Sequence, residues 1–140
     1  MVISTQVVER PFGGKDMKVK IGYAGQDIVT RILSIRGELD YRNADNLLVQ
    51  FAILLDSGAK SLIIDLSKVK SLSDDGLSAL NKGYLMFQEK NGSIIVVCPN
   101  SRIRWDFENT GLDDVFEIVG TIEDALQIIE RWRKEVVMAL

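Results

Sequence analysis

The hydrophobic pattern changes period several times along the chain. Val19 to Tyr23 and Ile28 to Arg36 are rich in β-branched residues and are separated by a turn at residues 25–27, which predicts a hairpin of two strands. From Asn43 to Leu55 the spacing becomes helical. Leu47, Phe51 and Leu54 make one stripe flanked by Leu48 and Leu55, and Gly58 follows as a stop signal. Ser61 to Leu66 contains Leu62-Ile63-Ile64, apolar on both faces, the pattern of a central strand covered by helices on one or both sides. A second helix is predicted from Asp75 to Lys90, with Leu77, Leu80, Tyr84 and Phe87 inward and Asn91-Gly92 ending it.

Ile94 to Cys98 reads as the next buried strand, ended by Pro99. Ser101 to Asn109 reads as a short helix with Ile103 and Phe107 one turn apart, and Val115 to Val119 as a last strand. Thr121 with Asp124 three residues later resembles a capping box that opens a closing helix. The stripe Ala125, Ile128, Trp132 and Val136, with Ile129 beside it, has two readings: core packing with a frayed end, or a homodimer contact through this helix. Strands joined through helices make an α/β domain with parallel pairing wherever a helix crosses between strands.

The first sixteen or so residues, with Pro11, Gly13 and Gly14, stand apart from this alternation. Residues 1–18 therefore read as an N-terminal arm or edge strand, and residues 19–140 as one domain with an extended C-terminal helix; Met17 is an alternative start to Met1. A length of 140 residues suits a single core, and no internal repeat or second domain is apparent.

Composition narrows the chemistry. Seventeen basic and twenty acidic residues give a net charge of −3, which supplies no global attraction to nucleic acid or anionic lipid. The chain has no histidine, which removes the usual base near neutral pH and every histidine-based nucleophile or metal site. Its single cysteine, Cys98, cannot close an intrachain disulfide and falls in an apolar run, fitting a reducing cytoplasm. No stretch reaches the roughly 18–20 apolar residues of a spanning helix, and the start lacks a signal-peptide pattern, so a cytoplasmic protein without direct membrane insertion is expected.

The most unusual local feature is Ser71-Leu72-Ser73-Asp74-Asp75-Gly76, two adjacent carboxylates and a glycine where a buried strand gives way to a helix. Ser73 or Asp74 as the N-cap, with the next acid in the first turn, accounts for the pattern structurally. Glu38 and Asp40 close an earlier strand and also precede a helix, which would put both acidic segments on one rim of the sheet. A calcium-loop spacing is absent, so this rim reads as solvated rather than as a metal site. The adjacent acids come too late in the chain for a response-regulator receiver. Pro11-Phe12-Gly13-Gly14-Lys15 lacks the first glycine and the Ser/Thr of a Walker loop. With no nucleophile, base or cofactor loop, an enzyme is not expected.

Gly37-Glu38-Leu39-Asp40, the run from Asp65 through Ser73-Asp74-Asp75-Gly76 to Leu77, and Thr110-Gly111-Leu112 together resemble the STAS family, which includes bacterial anti-sigma factor antagonists. The resemblance spans about residues 19 to 130. It implies an STAS-like α/β fold, a mixed four- to five-stranded sheet with helices packed mainly on one side, and no catalytic activity or cofactor. It also implies binding to an anti-sigma factor that is a serine kinase: the unphosphorylated antagonist binds the kinase and frees the sigma factor.

The family's switch is a Ser or Thr in a pattern like Asp-Ser-Ser-Gly, aligned here with Ser73-Asp74-Asp75-Gly76, so Asp74 stands where the phosphoacceptor would be. A phosphoserine carries about −1.5 to −2 charge and three acceptor oxygens, whereas an aspartate carries −1 and two. Asp74 is thereby a partial, permanent mimic of the phosphorylated state. Ser73 is the adjacent substitute phosphoacceptor, with Ser71 and Ser78 as further candidates, although a serine in front of a helix is also an ordinary cap. The expected partner surface comprises Ser71, Ser73, Asp74, Asp75, Gly76 and Ser78 with Glu38, Asp40 and Asn43. The alternative to partner switching is a non-switching STAS subunit of a signalling assembly or a membrane transporter complex.

Overall fold

The computed structural model describes the backbone of residues 3–11, 17–24 and 27–139, and the side chains of Val19, Ile21 and residues 29–134. The strands are β1 (Ile3–Pro11), β2 (Met17–Ala24), β3 (Asp27–Leu39), β4 (Ser61–Leu72), β5 (Ser93–Val97) and β6 (Glu117–Val119). The helices are α1 (Ala44–Asp56), α2 (Asp74–Glu89), α3 (Ser101–Thr110) and α4 (Ile122–Ala139). The six strands lie in the sheet in sequence order. β1, β2 and β3 pair antiparallel, while β3 to β6 are all parallel because each is reached through a helical crossover. This is the mixed α/β sheet the resemblance implied, but with six strands rather than four or five, because β1 pairs antiparallel with β2 along its edge. Most of the expected turn at 25–27 lies outside the described residues.

The two-sided apolar strands divide their residues between two layers. Leu33, Ile35, Leu62, Ile64, Ile94 and Val96 enter the larger core, joined by Leu47, Phe51 and Leu54 of α1, Leu77, Leu80 and Phe87 of α2, and Ile103 and Phe107 of α3. The alternating positions Ile32, Ile63, Ile95 and Val97 meet Ala125, Leu126 and Ile129 of α4 on the opposite face. Three helices therefore cover one face and one covers the other. α4 packs at least as far as Trp132, and Val136 lies outside the described side chains.

Two helix contacts explain otherwise neutral residues. A Cβ at Gly83 would collide with the Phe51 ring, so this glycine permits the close approach of α1 and α2. Thr121 accepts a hydrogen bond from the Asp124 N–H at 3.1 Å, the capping contact its spacing predicted.

β4 runs six residues past the Leu66 end that the apolar run suggested. Its inward residues there are Leu66, Val69 and Leu72, spaced by three rather than two, because the pairing with β3 shifts register between Ser34 and Arg36 and again between Gly37 and Glu38. A bulged strand does not show the simple alternation by which strands are recognised. β6 is shorter than expected. A 3-10 turn at Leu112–Asp114 occupies the approach, and Phe116 turns inward to meet Phe107 and Tyr84 edge-on, at centroid distances of 5.8 and 5.4 Å.

Candidate functional site

The extensions of β3 and β4 carry the two acidic segments to the same end of the sheet. Glu38 is the register partner of Ser71, and Leu39 that of Leu72. The Ser73 N–H then donates to the Leu39 carbonyl at 3.0 Å, fixing the point where β4 hands over to α2. Gly76 is buried against the same carbonyl. A Cβ there would lie 2.6 Å from Leu39 O and 2.9 Å from both Leu39 Cγ and Leu72 Cδ1. The glycine of the motif thus serves close packing of the first turn of α2 on the end of β3.

Ser73 is the N-cap of α2: its backbone is extended and its Oγ accepts from the Gly76 N–H at 3.3 Å. Asp74 and Asp75 follow as the first two helical residues, both exposed, where the helix N-terminus favours negative charge by about 0.3–1 kcal/mol each. Neither has an ion-pair partner among the described residues. Ser71 and Ser78 are also exposed.

In the facing turn, residues 38–43, one guanidinium bridges two carboxylates. Arg42 Nη2 contacts Glu38 Oε2 at 3.0 Å and Asp40 Oδ2 at 2.8 Å, and its Nε donates to both Asp40 oxygens at 3.1 and 3.2 Å. Side-chain hydrogen bonding from Arg42, with the Arg42 N–H and the guanidinium charge adding to it, holds the Asp40 carboxyl below its usual range. Asn43, only 2% exposed, donates from Nδ2 to the Glu38 carbonyl at 2.7 Å and accepts the Asp40 N–H at 3.0 Å. Its side chain shapes the turn from within, whereas Tyr41 and Arg42 are exposed and Glu38 and Asp40 are half-buried.

Between the N-terminal halves of α1 and α2 lies a cleft of about 230 Å³, lined by Tyr41, Asp45, Leu48, Asp75, Ser78 and Lys82 among others. Tyr41 stands 75% exposed at its mouth. Arg42 offsets one of the two charges of Glu38 and Asp40, and Asp45, Asp74 and Asp75 add negative charge with no ion-pair partner among the described residues. Sequence reasoning gathered Glu38, Asp40, Asp74 and Asp75 but missed Asp45, Arg42, Tyr41 and Lys82. The signal for Arg42 was its spacing of four and two residues from Glu38 and Asp40, whereas Tyr41 and Lys82 join the cleft only through the packing of two helices.

Cys98 is buried, and burial pushes its thiol above the usual range. Among the described residues, no group of three or more His, Cys, Asp or Glu side chains is placed to hold a metal ion. Among the same residues, no helix is long and apolar enough to cross a membrane.

The fold has known counterparts. The family model for the STAS domain matches residues 23–125. The chain belongs to the STAS family. An anti-sigma factor antagonist from Mycobacterium paratuberculosis is similar at 27% identity, over 81% of this chain and 94% of that one, with a TM-score of 0.72. The anti-sigma factor antagonist SpoIIAA in its unphosphorylated form shares the fold at 15% identity and a TM-score of 0.67, over 80% and 96% of the two chains. A sulfate transporter family protein from Wolinella succinogenes shares it at 16% identity and a TM-score of 0.67, over 79% and 93%. STAS membership and the α/β architecture agree with what the sequence motifs implied.

Proposed function

We propose that this STAS domain is a non-catalytic, cytoplasmic regulator that docks an anti-sigma factor of the serine-kinase type. Its docking surface is the loop from Ser71 to Ser78 together with residues 38–43, and Asp74 supplies a fixed charge where relatives carry a reversible one. The observation that carries this reading is the exposed, unpaired Asp74 in the first turn of α2, directly after the Ser73 cap. The likeness to the mycobacterial anti-sigma factor antagonist supports the choice of partner class. At a partner surface of effective dielectric near 20, one like charge about 4 Å away costs about 4 kcal/mol, an upper bound for what Asp74 imposes on a partner that prefers an uncharged hydroxyl.

Under this reading position 74 takes up no phosphate, and Ser73 is the substitute acceptor if any serine of the loop is modified. To receive phosphate its hydroxyl must leave the Gly76 N–H. The test is mass spectrometry of the wild type and of Asp74→Ser after incubation with the cognate kinase and ATP. Phosphate on residue 74 of the variant, and none at that position in the wild type, is expected. An unmodified serine variant would count against the switch geometry.

A second reading, a non-switching subunit of a transporter or signalling assembly, is favoured by the fold likeness to the Wolinella succinogenes protein. Affinity capture from the source cell separates the two: an ATP-binding anti-sigma partner supports the first, and membrane transporter subunits support the second.

A further inference from the structure

Large apolar side chains that stand in solvent collect on one part of the surface. Of the six exposed ones among the described residues, Tyr41, Val49, Ile53 and Leu85 belong to α1, α2 or the turn leading into α1. The cleft between the N-terminal halves of these helices continues along both as a groove. Past the cleft, Gly83 lets the Phe51 ring lie directly against α2. Leu48, Leu55 and Met86, each partly buried against the core, form the floor. Leu48 lines the cleft, Leu55 follows two turns later on the same stripe of α1, and Met86 comes one turn after the cleft residue Lys82. Val49 stands on the crest of α1 one turn after Asp45, and Leu85 on the crest of α2 one turn after Lys82, both about half exposed. Ile53 falls on the outer flank of α1.

This groove is acidic where it opens into the cleft. Asp45 and Asp75 line the cleft and are exposed, and Asp74 is adjacent. Lys82 is the cation beside them; it has no ion pair among the described residues and offsets one charge of the three. From Asp45 to Leu55 the helix rises about 15 Å, nearly three turns of a second helix. A trough of that length between two helices that run in the same direction is the setting in which an amphipathic helix lays down its apolar side. A second copy of this chain fits poorly. Seated antiparallel on this face, it would bring Asp45 and Asp75 toward the far end, where Asp56 and Glu89 are exposed; seated parallel, it would set the same acids against each other.

We propose that the groove between α1 and α2 docks an amphipathic helix of the partner protein, its apolar side on Leu48, Leu55 and Met86 between Val49 and Leu85, and a Lys or Arg of its last turn at Asp45 and Asp75. A helix laid antiparallel to α1 and α2 brings the negative end of its dipole to their positive N-termini, and a cation in its last turn stabilises that helix itself. Tyr41, exposed at the mouth, adds an aromatic side chain beside the same cation. This helix is the docking element of the partner proposed above, so the groove rests on that reading for its partner, while Val49 and Leu85 lie outside the loop from Ser71 to Ser78 and the turn at 38–43.

The test titrates a synthetic helix of about 14 residues, long enough to span the groove, into the isotope-labelled full chain and follows the backbone amides by NMR. The peptide carries leucines at every third or fourth position and arginines in its last turn; a control has glutamates in place of the arginines. Saturable shifts confined to residues 41–56 and 74–89 are expected, with affinity weakened as salt rises from about 50 to about 500 mM. Val49→Gln/Leu85→Gln should weaken binding at least about tenfold, and Asp45→Asn/Asp75→Asn about two- to thirtyfold. Circular dichroism confirms that these surface variants are folded. No saturable shift, equal affinity for the glutamate control, or an affinity untouched by Val49→Gln/Leu85→Gln overturns the proposal. Sedimentation in which the wild type pairs with itself and Val49→Gln/Leu85→Gln does not would give the groove to a second copy and overturn it as well. The role of position 74 is judged separately, by the response of anti-sigma factor binding to Asp74→Ser, so either reading can fail while the other stands.

Discussion

The Leu39 carbonyl accepts a 3.0 Å hydrogen bond from the Ser73 N–H, joining the end of one strand to the residue that caps the helix at the proposed docking surface. The pairing of β3 with β4 is parallel, and it carries the turn after β3 and the start of α2 to one place although more than thirty positions separate them in the chain. The geometry of the acidic loop is therefore set by strand register, and the charges are set by sequence.

Gly76→Ala should destabilise the fold by about 1–3 kcal/mol, because the added methyl meets the backbone oxygen of Leu39 as well as two side chains. Urea denaturation followed by circular dichroism measures this, and the lowered midpoint should come with an unchanged slope.

Ser73→Ala removes the cap acceptor for the Gly76 N–H and should cost about 0.5–2 kcal/mol in the same assay. Ser73→Asp keeps an acceptor and should retain most of that stability, separating loss of the cap from loss of the hydroxyl as a modification site.

Arg42→Ala should raise the pKa of Asp40 toward the ordinary carboxylate value, since Arg42 supplies the hydrogen bonds and charge that depress it. A depressed folded-state pKa gives stability that is present above the unfolded value, near 3.9, and lost as pH falls through the folded one. The wild type and Arg42→Ala should accordingly differ in stability at neutral pH and converge in strong acid. NMR titration of the Asp40 carboxyl together with acid unfolding curves checks both parts.

Cys98 should react with a thiol reagent far more slowly in the native protein than after denaturation, as its side chain is buried and its thiol pKa is raised. Equal rates in the two states would show that the strand opens readily.

What could be read from the sequence, and what could not, follows from the kinds of signal involved. Leu62-Ile63-Ile64 identified a strand with two covered faces, and the structure divides those residues between α1–α3 and α4 as strand alternation requires. The extension of β4 to Leu72 was hidden because Leu66, Val69 and Leu72 recur at three-residue intervals across two register shifts, a spacing that resembles neither a strand nor a full helical stripe. At the site, the Ser73-Asp74-Asp75-Gly76 motif located the helix start, since caps and first-turn acids are local chemistry. Asn43 is different. As a sequence symbol it looked like a surface contact, yet its amide is buried and spans the turn from Glu38 to Asp40. Whether a polar side chain faces inward depends on the path of the backbone around it, which no local pattern records. The cleft residues Tyr41 and Lys82 were missed for a related reason, since they become neighbours only when α1 and α2 pack.

The most direct test of the account is isothermal titration of the source cell's anti-sigma factor kinase with the wild type, Asp74→Ser and Asp74→Glu. If the permanent charge at residue 74 governs docking, Asp74→Ser binds at least about tenfold more tightly than the wild type, a difference of about 1.4 kcal/mol, while Asp74→Glu matches the wild type. Identical affinities for all three proteins would contradict the claim that this carboxylate decides which partner the domain accepts.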